Sequence, residues 1–356
     1  MSEELDRLRG EIDRIDSQLL QVLNERARLA RAIGTLKVGQ AYRPEREAQV
    51  LRRIKEANPG PLSDETAALL FREIMSACLA LERPTTVAFL GPQGTFSESA
   101  AMKHFGLAAV TQPALSIDEV YRAVESGAAD FGVVPVENST EGAVGRSLDL
   151  MPQTPAKVCG EVLIRIHHHL MASVPGTAPE SIRRIFSHSQ SLAQCHEWLN
   201  SNVPNAERVA VASNAEAARR ATQEPASAAV AGDRAAEHYK LAILASNIED
   251  EPNNTTRFLI LGDYEPRPSG RDKTSLVLSA RNRAGAVYEM LTPFATRGVS
   301  MTKFESRPSK VALWEYLFFV DIEGHREDAS VAAALEDIGR IAGYLKVLGS
   351  YPMAVL

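Results

Sequence analysis

Apolar residues recur at steps of three and four from the start of the chain. Ile12, Ile15, Leu19 and Leu23, then Ala30 and Ile33, fall on one face of a helix running from residue 5 to 38. Residues 1–84 show no strand-like alternation, and their breaks are Arg43-Pro44 and Asn58-Pro59-Gly60-Pro61, so the pattern predicts three helices. Pro44 suits the first turn of the second helix, whose apolar face is Val50, Leu51 and Ile54; Ser63 suits the cap of the third, with Leu70, Ile74, Ala77, Cys78 and Leu81 turned inward. From 86 to 264 short β-rich runs (TVAFLG, DFGVVPVEN, VLIRIHH, IRRIFSH, RVAVAS, SAAVAG, TRFLILG) alternate with helical ones, which predicts α/β layers. EPRPSGRDK reads as a linker, and residues 273–356 follow as strand, helix, two strands, helix and strand, the ferredoxin-like order.

Two cations break the apolar stripe of the first helix. Arg26 and Lys37 are 11 residues apart, about 20° around a helix of 3.6 residues per turn. A cation on a buried face needs a partner, and no acid shares the stripe between them, so a bound anion is a candidate. The alternatives are a Lys37 that meets the helix C-terminus and an Arg26 that reaches out to water. Arg9 lies on another face and joins them only from a second chain. The rod is about 50 Å long at 1.5 Å per residue, too long for the other two helices to cover, and an intertwined dimer would cover it. Glu82 falls one turn beyond Cys78 and faces inward with it.

Composition narrows the classes. A formal net charge of −6 argues against a general nucleic-acid binder, and three scattered cysteines suggest neither a zinc knuckle nor a disulfide framework. The acidic start MSEELDRLRG is no signal peptide, and no apolar run approaches about 20 residues, so a cytoplasmic protein with no membrane span is expected. The His167-His168-His169 run does not read as a metal site, because neighbours on a strand point to opposite faces.

Within the α/β region, VAFLGPQGTFSESAAMKHFG reads as strand, glycine turn and helix. It lacks the lysine of a P-loop and the length of a dinucleotide fingerprint. What remains is a helix N-terminus with the hydroxyls of Thr95, Ser97 and Ser99, which is either a small-anion cradle or a capping turn. Glu137-Asn138-Ser139-Thr140 at a strand end, Ser187 with Gln194 two turns on, and Asn253 to Arg257 before a strand are further polar anchors. Turn chemistry alone would explain any one of them.

Residues 5–83 resemble the all-helical chorismate mutase domain of bifunctional chorismate mutase–prephenate dehydratases, through Leu8-Arg9, NERARLARAIGTLK and RPERE. The resemblance implies that Arg9 comes from the partner subunit. Arg26, Lys37 and Arg46 would hold the two carboxylates and the ether oxygen of chorismate, and Glu47 would meet its ring hydroxyl. Such a pericyclic rearrangement needs a clamped dianion and cations at the growing oxyanion, with no cofactor and no metal. Glu82 stands where relatives often have Gln, and Cys78 where they often have Ser. Ionised, Glu82 repels the oxyanion; protonated, it donates to it.

Residues 86–263 resemble the prephenate dehydratase family through GPQGTFSESAA, VVPVENS, Ser187-His188-Ser189-Gln190 (the family often has Pro at the third position) and TTRF. The resemblance implies two lobes like those of periplasmic solute-binding proteins with substrate in the cleft between them. It puts Thr256 at the leaving hydroxyl of prephenate and Arg257 on a carboxylate. Asn138, Ser187 and Gln194 become the polar wall, Phe258 completes the motif, and Thr95, Ser97 and Glu137 are substrate contacts. RNRAGAVYEML and KFESRPSK resemble the ACT regulatory domain, with phenylalanine as the implied effector near Asn282, Gly285, Ala286, Val287, Glu305, Ser306, Arg307 and Pro308. The whole reads as a multi-domain homodimer or higher homo-oligomer: an all-α mutase domain (1–84), a two-lobed α/β dehydratase domain (86–264) and an α+β ferredoxin-like ACT domain (273–356). Two other readings fit the pattern, a two-lobed anion-binding sensor without turnover and an arogenate dehydratase.

Overall fold

The computed structural model describes residues 2–36, 41–280, 283–309 and 316–356. Lys37 and Asn282 lie outside the described residues. The N-terminal domain is α1 (Ser2–Leu36), α2 (Pro44–Ala57) and α3 (Asp64–Ala80). Pro44 opens α2, and Ser63 caps α3 by accepting from Thr66 N at 3.1 Å. The stripe of α1 is open along its length, with Ile12, Ile15, Leu19, Leu29 and Ile33 all more than half exposed. On α3 the face expected inside is partly outside: Leu70 and Leu81 are exposed, whereas Ala67, Ala68, Arg72, Ser76 and Cys78 are buried. The helix has two apolar faces, and within one chain it can bury only the one that meets its own neighbours.

The central domain has two sheets. The first comprises β1 (Thr86–Leu90), β2 (Val110–Ala114), β3 (Phe131–Asn138), the short β4 (Gly142–Ala143), β5 (Lys157–Arg165) and β11 (Thr255–Gly262), in the order β2-β1-β3-β11-β5 with β4 beside β3. α4 (Phe96–Phe105), α5 (Ile117–Glu125) and α6 (Gly145–Leu150) connect them. The second holds β6 (His169–Ala172), β7 (Arg184–His188), β8 (Glu207–Val211), β9 (Ser227–Ala231) and β10 (Ala242–Ala245), in the order β10-β6-β9-β7-β8, with α7 (Ser189–Gln194), α8 (His196–Asn202), α9 (Asn214–Ala221) and α10 (Asp233–Tyr239). The chain crosses between lobes twice, at 166–168 and 246–254, and the crossings are tied by Ile166 N to Asn254 O and Ile248 N to His168 O, both 2.8 Å. The lobes meet where a Cβ on Gly232 would strike the Phe96 ring at 2.9 Å. Only a residue without a side chain lets them approach so closely.

The C-terminal domain is β12 (Asp272–Ser279), α11 (Ala286–Thr296), β13 (Met301–Pro308), β14 (Tyr316–Glu323), α12 (Ala329–Ile341) and β15 (Tyr344–Pro352), a sheet ordered β13-β14-β12-β15. It packs face to face on the first lobe. Val277, Phe319, Leu348 and Tyr351 share one core with Val134, Val136, Val158 and Leu259. At Gly349 the two backbones nearly touch, since an added Cβ would lie 2.1 Å from Val158 O. The stretch read as a linker is fastened: Arg52 of α2 donates to Ser269 O at 3.1 Å and Arg271 O at 2.8 Å.

Candidate active-site cleft

Between the lobes lies a cavity of about 470 Å³, in the range of small-molecule sites. Four helices turn their N-terminal ends into it, capped by Thr95 (α4), His188 (α7), Ser213 (α9) and Gly232 (α10). No Arg or Lys is among its described lining residues, so positive potential there comes from backbone N–H groups. The α4 loop is partly filled from within, because buried Glu98 accepts from Gly94 N at 2.6 Å. The loop is therefore as much a capping turn as an anion cradle.

Asn138 and Thr256 face each other on paired strands. Asn138 Oδ1 accepts from Thr140 N and Glu141 N, both 3.0 Å, which fixes the amide so that Nδ2 donates to Thr256 Oγ1 at 2.8 Å and Asn254 Oδ1 at 2.7 Å. Thr256 Oγ1 is thus an acceptor from Asn138, and its own hydrogen is left for the cleft. Two lining atoms are buried without partners, Asn254 Nδ2 and His168 Nδ1. Buried orphans of this kind in a polar cavity mark places where a ligand or water bonds.

The histidine run separates as its chemistry requires, though not as strand neighbours. β5 ends at Arg165 and β6 starts at His169, so His167 and His168 belong to the inter-lobe crossing. His167 Nδ1 meets Glu249 at 2.7 Å, and His169 Nδ1 accepts from Asn247 N at 3.2 Å. His168 Nε2 lies 2.9 Å from Gln194 Oε1, and burial holds its imidazole below the ordinary histidine range, so the ring is neutral. Its Nε2–H donates to Gln194 and leaves the Gln194 NH2 as a donor at the cavity wall.

Of the residues expected here, Thr95, Ser97, Asn138, Gln194 and Thr256 line the cavity. Four others do not. Ser187 is fully buried and donates to Val230 O at 2.7 Å beneath Asn214. Phe258 sits in the core under α4 with Phe89 and Ile260. Arg257 and Glu137 point through the sheet to the C-terminal domain, where Arg257 Nη2 meets the Tyr351 hydroxyl at 2.9 Å and Lys303 Nζ meets Glu137 at 3.0 Å. The reason is strand geometry: neighbours of an inward residue point outward. Asn254, which also lines the cavity, lies in the polar run Asn253 to Arg257 already marked as an anchor, whereas sequence reasoning assigned no role in the cleft to His168, Ser191 and Asn214.

In the N-terminal domain the expected residues are spread out. Arg9 is exposed beside Asp6, Arg26 is half-buried, and Arg46 is exposed. Glu82 packs where a Cβ on Gly34 would meet its side chain at 2.8 Å. Arg9 and Gly34 are separated by 25 positions of α1, about 37 Å at 1.5 Å each. Glu47 does not face them: it lines a cavity of about 50 Å³ with Arg72, Lys103, His104 and the chain end at Pro352–Leu356. Its carboxyl is pushed up to about 7, mainly by burial, with Arg72 opposing and Glu73 adding. A carboxyl raised on folding stabilises fully below its unfolded value and loses that contribution as pH rises through the folded one. The thermal midpoint is therefore expected to fall between roughly pH 5 and 8, and Glu47→Gln to flatten that decline in calorimetry; an unchanged slope would exclude Glu47 as its source.

In the C-terminal domain Gly285, at φ +80°, precedes α11, followed by Ala286 and the partly exposed Val287. Glu305, Ser306, Arg307 and Pro308 lie on the edge strand β13. No hydrogen bond between described residues joins the two segments, and Arg307 is turned away to Asp149 of α6 at 3.0 Å.

Known proteins match this layout along the whole chain. Family profiles described as chorismate mutase type II, prephenate dehydratase and ACT domain match residues 8–83, 87–266 and 274–340. A bifunctional chorismate mutase/prephenate dehydratase of Neisseria gonorrhoeae is 58% identical over 100% of both chains. A crystal structure of an Arthrobacter aurescens prephenate dehydratase in complex with L-Phe is 36% identical, with a TM-score of 0.70 over 75% of this chain and 90% of that one. GqqA, described as a novel type of quorum quenching acylase, is 30% identical with a TM-score of 0.69 over 76% and 98%. The scaffold alone therefore does not select the chemistry; the full-length identity does.

Proposed function

The chain belongs to the bifunctional chorismate mutase/prephenate dehydratase family, and from that premise we propose how its residues divide the two reactions and their control. The enzyme rearranges chorismate to prephenate and converts prephenate, with loss of CO2 and water, to phenylpyruvate.

In the dehydratase cleft, Thr256 donates its hydroxyl hydrogen to the departing ring hydroxyl of prephenate. The Asn138 Nδ2 bond to Thr256 Oγ1 at 2.8 Å carries this reading, because it orients the hydrogen into the cleft. Thr256 relays or orients the proton, being too weak an acid to supply it outright. Asn254, Gln194 and the helix N-termini hold the carboxylates. A site of neutral donors anchors the side-chain carboxylate without strongly stabilising the ring carboxylate, which must leave as neutral CO2.

In the mutase domain, Arg26, Lys37 and Arg46 clamp chorismate, and Arg9 is supplied by a second copy lying along the open stripe of α1. The approximate 37 Å from Arg9 to Gly34 supports that exchange. Glu82, packed against Gly34 of α1, faces the ether oxygen. Glu82→Gln is then expected to change mutase turnover while leaving dehydration as it was; an unaltered mutase rate in the variant removes Glu82 from the role.

Phenylalanine is the effector of the C-terminal domain, held at Gly285–Val287 with β13 of a second copy. No helix among the described residues is long and apolar enough to cross a membrane, and a cytoplasmic homodimer or higher homo-oligomer is the setting we infer. Assaying purified chain with chorismate, with prephenate and with arogenate, each with and without phenylalanine, tests the scheme. Consumption of neither chorismate nor prephenate defeats it.

A further inference from the structure

Thr256 and Arg257 are neighbours on β11, and they pair in register with Asn138 and Glu137 on β3. One member of each pair faces the cleft and the other faces the C-terminal sheet. The ladder shifts register between Arg257 and Phe258, leaving Val136 as the extra residue of a bulge. That bulge sets Asn138 beside Thr256 and Glu137 beside Arg257.

On the far face Arg257 is 8% exposed and fully engaged. Its Nε donates to Glu161, its Nη1 to Asp321 and its Nη2 to the Tyr351 hydroxyl at 2.9 Å. Tyr351 lies 2.6 Å from Ser275 Oγ, which donates to the other Asp321 oxygen at 2.5 Å. Burial keeps the Tyr351 phenol protonated, so it accepts from Arg257 and donates to Ser275. The result is a closed ring, from Arg257 through Tyr351 and Ser275 to Asp321 and back. Three of its members belong to the C-terminal domain and one to the catalytic strand. Lys273 completes the charge balance by meeting both Glu161 oxygens at 3.0 Å.

We propose that Arg257 is a positioning residue: it binds the catalytic strand to the C-terminal domain through this ring, so that the domain holds Thr256 and Asn138 in register for dehydration. This rests on the dehydratase reading above. A misplacement of about 1 Å is enough to cost about 100-fold in rate, so loosening one bond of the ring, on the opposite face of β11 from the cleft, acts on turnover and not on substrate capture.

Two variants on the effector side test this in the full chain. Tyr351→Phe removes a single oxygen, and Asp321→Asn removes one charge. Each is expected to lower kcat for prephenate by about tenfold or more, with KM held within about twofold, mutase activity unchanged and the phenylalanine concentration for half-inhibition shifted. Arg257→Lys should behave likewise, and in a Thr256→Ser background the Tyr351→Phe effect should shrink, the mark of coupled residues. If Asp321→Asn proves too unstable to assay, Tyr351→Phe decides. Wild-type kcat in Tyr351→Phe overturns the proposal. So does an Arg257→Lys chain with raised KM and intact kcat, which would make Arg257 a substrate anchor. A wild-type chain that leaves prephenate unconsumed defeats the dehydratase reading itself, a different outcome from an active wild type with indifferent variants.

Discussion

Thr256→Val is expected to lower phenylpyruvate formation by about 10²–10⁴-fold while Thr256→Ser keeps most of the activity. Valine matches threonine in shape and β-branching, so β11 persists, but the hydroxyl that accepts from Asn138 is gone. The Asn138 amide then keeps one cleft-side partner, Asn254, and the leaving hydroxyl of prephenate has no donor at the end of the strand. Serine restores both functions with one methyl fewer. Chorismate rearrangement should be unaffected in either variant, because Thr256 lines the inter-lobe cavity, to which α1–α3 contribute no described lining residue. Following both reactions on the same preparations separates a chemical loss from unfolding. A fully active valine enzyme would remove Thr256 from the mechanism.

Gly349→Val is expected to have the second-largest effect, on both stability and control. A Cβ at this position would lie 2.1 Å from Val158 O and 2.9 Å from Val158 N, all backbone atoms that no rotamer change relieves. Overpacking a core typically costs about 1–3 kcal/mol, and an overlap with backbone costs at least the upper end, since a strand must move. β15 would lift from β5, opening the core that Leu348 and Tyr351 share with Val158 and Leu259. Denaturation should show a loss of about 3 kcal/mol or a separate early transition for the C-terminal domain, and phenylalanine should no longer inhibit. A variant with wild-type stability and inhibition would mean that the two sheets are not held together here.

The layers were legible because β-rich runs and helical runs alternate plainly along the chain. Short β-rich runs marked β1, β3, β5, β7, β8, β9 and β11, most of them apolar without alternation because both faces are buried, while steps of three and four marked α1 to α3. The strands that were passed over, β2, β4, β6 and β10, are short, and β2 and β10 lie at sheet edges. The cleft pair Asn138 and Thr256 was legible in VVPVENS and TTRF as contiguous motifs, but contiguity says nothing of which face a residue takes. Thr256 and Phe258 share a side of β11, one in the cleft and one in the core, while Arg257 between them serves another domain. On β3 even the parity argument fails, since the bulge at Val136 exchanges the faces of Glu137 and Asn138. His168 was hidden for another reason: it lies at an inter-lobe crossing, and its closeness to Asn254 depends on the chain leaving one sheet and returning.

The open stripe of α1 carries a consequence for how the two activities respond to dilution. Leu8, Ile12, Ile15 and Leu19 are each close to half exposed or more, so a lone chain carries a long greasy rod, and mass action sets how often it finds a match. The lining of the Thr256 cleft described above comes from one polypeptide. As the enzyme is diluted, rearrangement should therefore fade per molecule while dehydration persists, and a cell holding little of this protein would make phenylpyruvate only as fast as prephenate arrives from elsewhere.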